Sequence, residues 1–236
     1  MTAAVTTLTA AVGAGQLLGG GGVVTALERN RHLLRGGQWW RLVTPMLVQP
    51  SGVGQYVFNL VGSVVVGAAI ERQLGAVRWL TIYLTAGVAG VVMAYVWFPA
   101  QIDGGSSDAV AGLIGALAVG WWVGRVRPHW PSYLYSAFFA AYLTALAAGG
   151  VVVGTVVGGL TSGAIITIRR HGLGSQLRIV VCLLIVCSAA VLLALRDSHG
   201  VGLTIGLLVT LLIGRPKLVT SAIGQSLAGG LPRRAA

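Results

Sequence analysis

The sequence predicts an all-α membrane protein of about eight spans, and three observations carry that prediction. Of 236 residues, 56% are hydrophobic and only 9% are charged, against roughly 25% charged in an ordinary soluble domain. The apolar residues gather in runs close to the roughly 20 residues that cross a bilayer as a helix. The charges fall between those runs, where they set topology. The net charge of +11 is therefore no nucleic-acid footprint, and a soluble class is excluded.

The first run covers about 4–27 and is weakened by Gly19 to Gly22. A polar, aromatic stretch from Glu28 to Gly54 follows, holding Arg29, Arg31, Arg35, Trp39, Trp40 and Arg41. Trp beside Arg is interfacial chemistry, with the indole among headgroups and the guanidinium reaching phosphate. This stretch is expected to lie as a structured loop in the membrane surface. Further spans are expected at about 54–72, 77–98, 106–123, 132–148, 150–168, 178–195 and 200–214. A short basic tail follows, with Arg233 and Arg234. Gly150, Gly154, Gly158, Gly159 and Gly163 recur about every four residues, a spacing that lets another helix approach closely. Gly112 and Ala116 offer a matching small face.

With the N-terminus in the cytoplasm, eleven of the sixteen basic residues fall in inside segments. Four of the other five belong to the first long loop, so the positive-inside rule holds apart from that loop. No positive residue precedes the first apolar stretch, which argues against a cleaved signal peptide. Cys182 and Cys187 are five apart in one apolar run, point in different directions on a helix and are expected as small core residues rather than a disulfide. His32, His129, His171 and His199 lie singly in or beside predicted loops. No metal-ligand spacing appears, and neither metal nor cofactor is expected.

One polar stretch interrupts the apolar text. Gly104-Gly105-Ser106-Ser107-Asp108 leads directly into the apolar run Ala109-Val110-Ala111-Gly112-Leu113. Ser and Asp can cap a first helical turn. The same arrangement can present a nucleophilic serine at the positive end of a helix.

Together with other segments, this stretch resembles the rhomboid family of intramembrane serine proteases. Gly37-Gln38-Trp39-Trp40-Arg41-Leu42-Val43-Thr44-Pro45 looks like that family's Trp-Arg segment. Tyr56-Val57-Phe58-Asn59-Leu60 looks like the start of its second helix, and Glu71-Arg72 with Gly75 like the end of it. Gly105-Ser106-Ser107-Asp108 is similar to the Gly-x-Ser-Gly motif of the fourth helix, and Gly158-Gly159-Leu160 with Gly163 resembles the glycine-rich sixth. The match covers roughly 20–170. The resemblance implies a six-helix bundle around a water-filled site, with Ser107 as nucleophile and Asn59, with Gln55 at the second-helix histidine position, as oxyanion-type groups.

The departures point away from catalysis. The family's sixth-helix histidine aligns with Val156, after Thr155, and no histidine occurs between His129 and His171. The stacking aromatic aligns with Ala111, and the glycine after the serine is Asp108. A serine hydroxyl without a base is a poor nucleophile, and losing the base costs on the order of 10^6 in rate in a serine protease. Asp108 reads as a helix-start acid that complements the dipole or as a substitute base. Asn59 and Gln55 read either as oxyanion donors or as ordinary interhelical amides. Trp40 and Arg41 read as interface anchors.

The expectation is thus a rhomboid-like pseudoprotease in a bacterial inner membrane with both termini cytoplasmic. Its partners are the lipid bilayer and transmembrane helices of client proteins. A rhomboid-like six-helix core over 1–172 would be followed by two additional C-terminal spans over 173–216 and a basic tail over 217–236. One alternative is an active intramembrane serine endopeptidase using Ser107 with a non-standard base. Another is a small transporter or channel with Asp103 and Asp108 near a polar mouth.

Overall fold

A computed structural model describes residues 1–19 and 21–213; the basic tail at 217–236 lies outside them. The described chain is all-helical, with helices α1 (Thr2–Gly19), α2 (Gly21–Leu27), α3 (Arg31–Arg35), α4 (Val53–Leu74), α5 (Ala76–Trp97), α6 (Ser107–Trp122), α7 (Trp130–Arg170), α8 (Gly174–Ala194) and α9 (Ser198–Ile213). Four of these, α4, α5, α7 and α8, are long and apolar enough to cross a membrane, while α6 and α9 are apolar but shorter.

α7 contains two of the expected spans. Gly150 takes φ 82° within it, a left-handed conformation that suits glycine. The chain reverses there, and limbs 130–149 and 151–170 pack antiparallel. A Cβ at Gly158 would meet the Phe138 ring, and one at Gly154 the Tyr142 carbonyl and Leu146. The guanidinium of Arg169 lies over the Trp130 ring at 5.4 Å. The glycine stripe therefore serves the hairpin. Its expected partner face, Gly112 on the fourth span, packs elsewhere, while Gly159 and Gly163 look onto open space.

α6 is the hub, buried from Asp108 to Gly120. Its most extensive packing is with α9, and α5 packs against both. Glycines make that approach possible. A Cβ on Gly206 would run into the Gly112 carbonyl, one on Gly115 into the Leu203 carbonyl, and one on Gly202 into the Asp108 carbonyl. Backbone is a neighbour that cannot rotate away, so these positions tolerate no side chain. Of the two helices beyond 172, α9 lies against the hub helix, and α8 packs against α6, α7 and α9. Cys182 is buried with its thiol on the Ala118 carbonyl, Cys187 is exposed, and both are free.

The stretch between α2 and α4 is organised from within. Arg41 is 3% exposed. Its Nη1 donates to the Glu28 carbonyl at 2.6 Å, Nη2 to the Thr25 carbonyl at 3.0 Å, and Nε to Gln38 Oε1 at 2.7 Å. It thus satisfies carbonyls around the end of α2 rather than reaching headgroups, which corrects its reading as an interface anchor. Orphan carbonyls at a helix end draw a cation. Trp40 is 52% exposed and remains on the surface.

Candidate active site

The loop before α6 is tied down on three sides. Arg29 and Asp103 pair in a single β-bridge, with Arg29 N donating to Asp103 O at 2.7 Å. Gly105 N donates to the Pro45 carbonyl at 2.8 Å, and Gln55 Nε2 to the Gly104 carbonyl at 3.0 Å. Gly105 adopts φ 143°, and a Cβ there would collide with Gln55 Nε2 and stand 3.5 Å from Ser107 Oγ. The missing side chain leaves a space bounded by that amide and that hydroxyl. Ser107 opens α6, whose first turn carries N–H groups that have no helical acceptor.

The start of α9 is built by its own sequence. Arg196, two residues past α8, takes φ 57°, and Asp197 N donates back to the Leu192 carbonyl at 2.8 Å. The Asp197 carboxylate then caps α9, its Oδ1 accepting from the backbone N–H of His199 at 2.9 Å. The same Oδ1 lies 2.6 Å from His199 Nδ1. With the Nδ1 proton committed to the carboxylate, the neutral imidazole has its lone pair on Nε2. Nε2 stands 2.8 Å from Ser107 Oγ. Phe139, from the first limb of α7, meets the imidazole edge-on at 6.2 Å and 74°. Burial works against ionisation of Asp197, but the positive charge of the adjoining ring, an imidazolium at the acid pH where a carboxyl titrates, and the ring and backbone N–H donors outweigh it and hold its carboxyl below the usual carboxylate range.

Asp108 does not cap α6 with its side chain. Its carboxylate fills space left by Gly90 on α5 and accepts from Ser198 Oγ at 3.0 Å, with Oδ1 3.9 Å from His199 Nε2. The imidazole therefore has a carboxylate on each side. Asn59 is fully buried and donates to Gln49 Oε1 at 2.7 Å, and Gln49 reaches Ser106 Oγ at 3.4 Å. A cavity of about 660 Å³ joins these groups. Ser107, His199, Asp108, Asn59 and Gln55 line it together with Phe58, Phe138 and Tyr142 of α4 and α7.

The sequence-derived residues divide accordingly. Ser107, Asp108, Gln55 and Asn59 converge on the cavity. Val156, expected at the histidine position, lies on the second limb of α7 with 54% exposure. The expectation that no histidine can reach Ser107 is overturned by His199. Both limbs of α7 and all of α8 lie between α6 and the histidine-bearing α9. Ser198-His199 followed by Gly202 and Gly206 was the available signal: a small residue and histidine ahead of spaced small residues.

These features define a polytopic helical membrane protein with a hydrogen-bonded serine, histidine and aspartate in a recessed cavity. The Rhomboid domain model matches residues 36–170, more than half of the chain, and the protein belongs to the rhomboid family. The matched region ends before His199. Rhomboid protease GluP of Bacillus subtilis (strain 168) is 38% identical over 89 residues, which are 38% of this chain and 17% of that protein. Putative rhomboid protease YdcA of the same organism is 38% identical over 80 residues, covering 34% of this chain and 40% of that protein. RHOMBOID-like protein 6, mitochondrial, of Arabidopsis thaliana is 31% identical over 87 residues, 37% of this chain and 28% of the relative. The matched segments make up less than half the length of each of these relatives.

Proposed function

We propose that this protein is an active intramembrane serine endopeptidase that cuts transmembrane helices near their outer ends. The single observation that carries this reading is the 2.8 Å approach of His199 Nε2 to Ser107 Oγ, with Nδ1 held by Asp197. In the reaction Ser107 Oγ attacks the scissile carbonyl as its proton passes to Nε2. Asp197 stabilises the resulting imidazolium and fixes its orientation. The tetrahedral oxyanion forms beside Gly105, where the N–H groups opening α6 and the amide of Gln55 stand ready to donate. The imidazolium then protonates the leaving amine, and water repeats the sequence on the acyl-enzyme.

The surroundings suit a membrane-embedded substrate. The 16 residues of α6 rise about 24 Å, short of the about 30 Å of hydrocarbon, so a site at its start can sit below the membrane surface. The aromatic side chains that α4 and α7 contribute to the cavity wall offer an apolar surface for the substrate helix, and the polar groups of the same wall supply donors. The pseudoprotease reading rested on the lack of a base, and His199 removes that ground. Family membership and the names of the Bacillus subtilis relatives support the same activity.

The test is cleavage of a model transmembrane substrate in proteoliposomes. The wild-type chain is expected to cut it. Ser107→Ala and His199→Ala are each expected to lower the rate by about 10^4 to 10^6. Equal cleavage by His199→Ala would reject the assignment of the base.

A further inference from the structure

The end of the bundle opposite Ser107 carries a second cavity, of about 250 Å³, between the two limbs of α7. Trp130 and Tyr133 from the start of the first limb and Arg169 and Arg170 from the end of the second line it, with Leu134 and Ile165 above them. Arg169 stacks on Trp130 at 5.4 Å, which holds the guanidinium at the rim.

Charge is heavily one-sided here. Arg72, Arg78, Arg125, Arg127, Arg169, Arg170 and Arg178 all belong to helix ends or loops at this end. Contacts join these segments: Gln73 and Arg127 exchange hydrogen bonds, Trp121 stacks on Tyr133, and Arg178 lies over Trp122. The chain has five acidic side chains. Glu28, Asp103, Asp108 and Asp197 lie toward the Ser107 end, and Glu71 is engaged by the N-terminal ammonium and the Thr2 N–H. Arg169 and Arg170 have no ion-pair partner among the described residues and are exposed. Both guanidiniums are therefore open to an anion from outside the described chain.

We propose that this cavity binds the phosphate of an anionic phospholipid. Arg169 and Arg170 hold the phosphate, Trp130 and Tyr133 sit at headgroup depth, and the apolar wall of Leu134 and Ile165 receives the upper acyl chain. Basic pockets between membrane helices take such headgroups, and Trp and Tyr favour the same depth. The lipid would pin together the two limbs of the hairpin whose first limb carries Phe139 to His199. The inference does not depend on whether Ser107 is a nucleophile.

The test titrates the full chain in neutral detergent with dioctanoyl phosphatidylglycerol, dioctanoyl phosphatidylcholine and inorganic phosphate, reading bound lipid by native mass spectrometry. Each arginine near a lipid phosphate contributes about fivefold in affinity, so Arg169→Ala with Arg170→Ala should weaken phosphatidylglycerol binding about 30-fold. The doubly conservative Arg169→Lys with Arg170→Lys should stay within about threefold of wild type, because the phosphate term follows charge. Arg78→Ala, at the same end and outside the cavity, should bind as wild type. The proposal is overturned if the double alanine variant binds phosphatidylglycerol undiminished. It is equally overturned if phosphatidylcholine binds as tightly, if the lysine variant loses binding, or if inorganic phosphate displaces the lipid at similar concentration, which would mark a free-phosphate site.

Discussion

Replacing Asp197 by Asn tests the least expected part of the site. In the structure one oxygen, Oδ1, accepts from both the backbone N–H and Nδ1 of His199, at 2.9 and 2.6 Å. Asn keeps an acceptor of the same size, so the cap on α9 survives at a cost of a few tenths of a kcal/mol. What disappears is the charge facing the imidazolium in the transition state. A hydrogen bond to a charged group contributes about 1.5–3 kcal/mol, so the loss corresponds to a fall of roughly 10- to 150-fold in kcat/KM. The loss of about 10^4 seen for a fully buried aspartate in a serine protease is an upper bound, because the Asp197 side chain is 27% exposed. The assay is substrate cleavage in proteoliposomes, with thermal unfolding measured on the same preparations. A rate within twofold of wild type, with His199→Ala inactive, would show that Asp197 only caps the helix and refute the orienting role.

Four further outcomes follow from the geometry. Because Asp197 titrates below an ordinary carboxyl, its contribution to stability is present above the unfolded value of about 3.9 and is lost as pH falls through the lowered folded value; acid unfolding of wild type and Asp197→Asn should therefore converge at low pH. Gln55→Ala should lower kcat by about 10-fold to 10^2-fold, somewhat less than a sole oxyanion donor, because backbone N–H groups remain; an unchanged kcat would remove Gln55 from the oxyanion site. Gly206→Val should abolish stable folding, since its side chain would enter the Gly112 carbonyl, and a normal melting temperature would refute the close α6–α9 seam. Val156→Ala should leave stability within about 0.5 kcal/mol and cleavage unchanged.

Much of the helical plan was legible in hydropathy alone. The spans at 132–148 and 150–168 correspond to the two limbs of α7, and the apolar stretches before and after them to helices. Glycine at 150 read as a packing residue, whereas its positive φ makes it the turn of a hairpin. The serine end of the site was also legible, because Gly105, Ser107, Gln55 and Asn59 belong to neighbouring elements whose order is undisturbed. The histidine was not. Counting spans from the serine placed the histidine position on Val156 in the second limb of α7, whereas the histidine stands at the start of α9, two helices further on. One local fact pointed to it: Ser198 and His199 are followed by Gly202 and Gly206 at helical spacing. Asp197 could not be read as an orienting acid from sequence, since its contact with the imidazole depends on the left-handed turn at Arg196. Arg41 likewise looked interfacial until three hydrogen bonds placed it inside the loop.

The central claim is that Ser107 is activated by His199, and covalent labelling with a fluorophosphonate measures that directly without a known substrate. The wild-type chain in liposomes should be modified at Ser107, identified by peptide mass, while His199→Ala and Ser107→Ala should both remain unmodified over the same period. Labelling of His199→Ala at the wild-type rate, or none of the wild-type chain at neutral pH, would contradict the account.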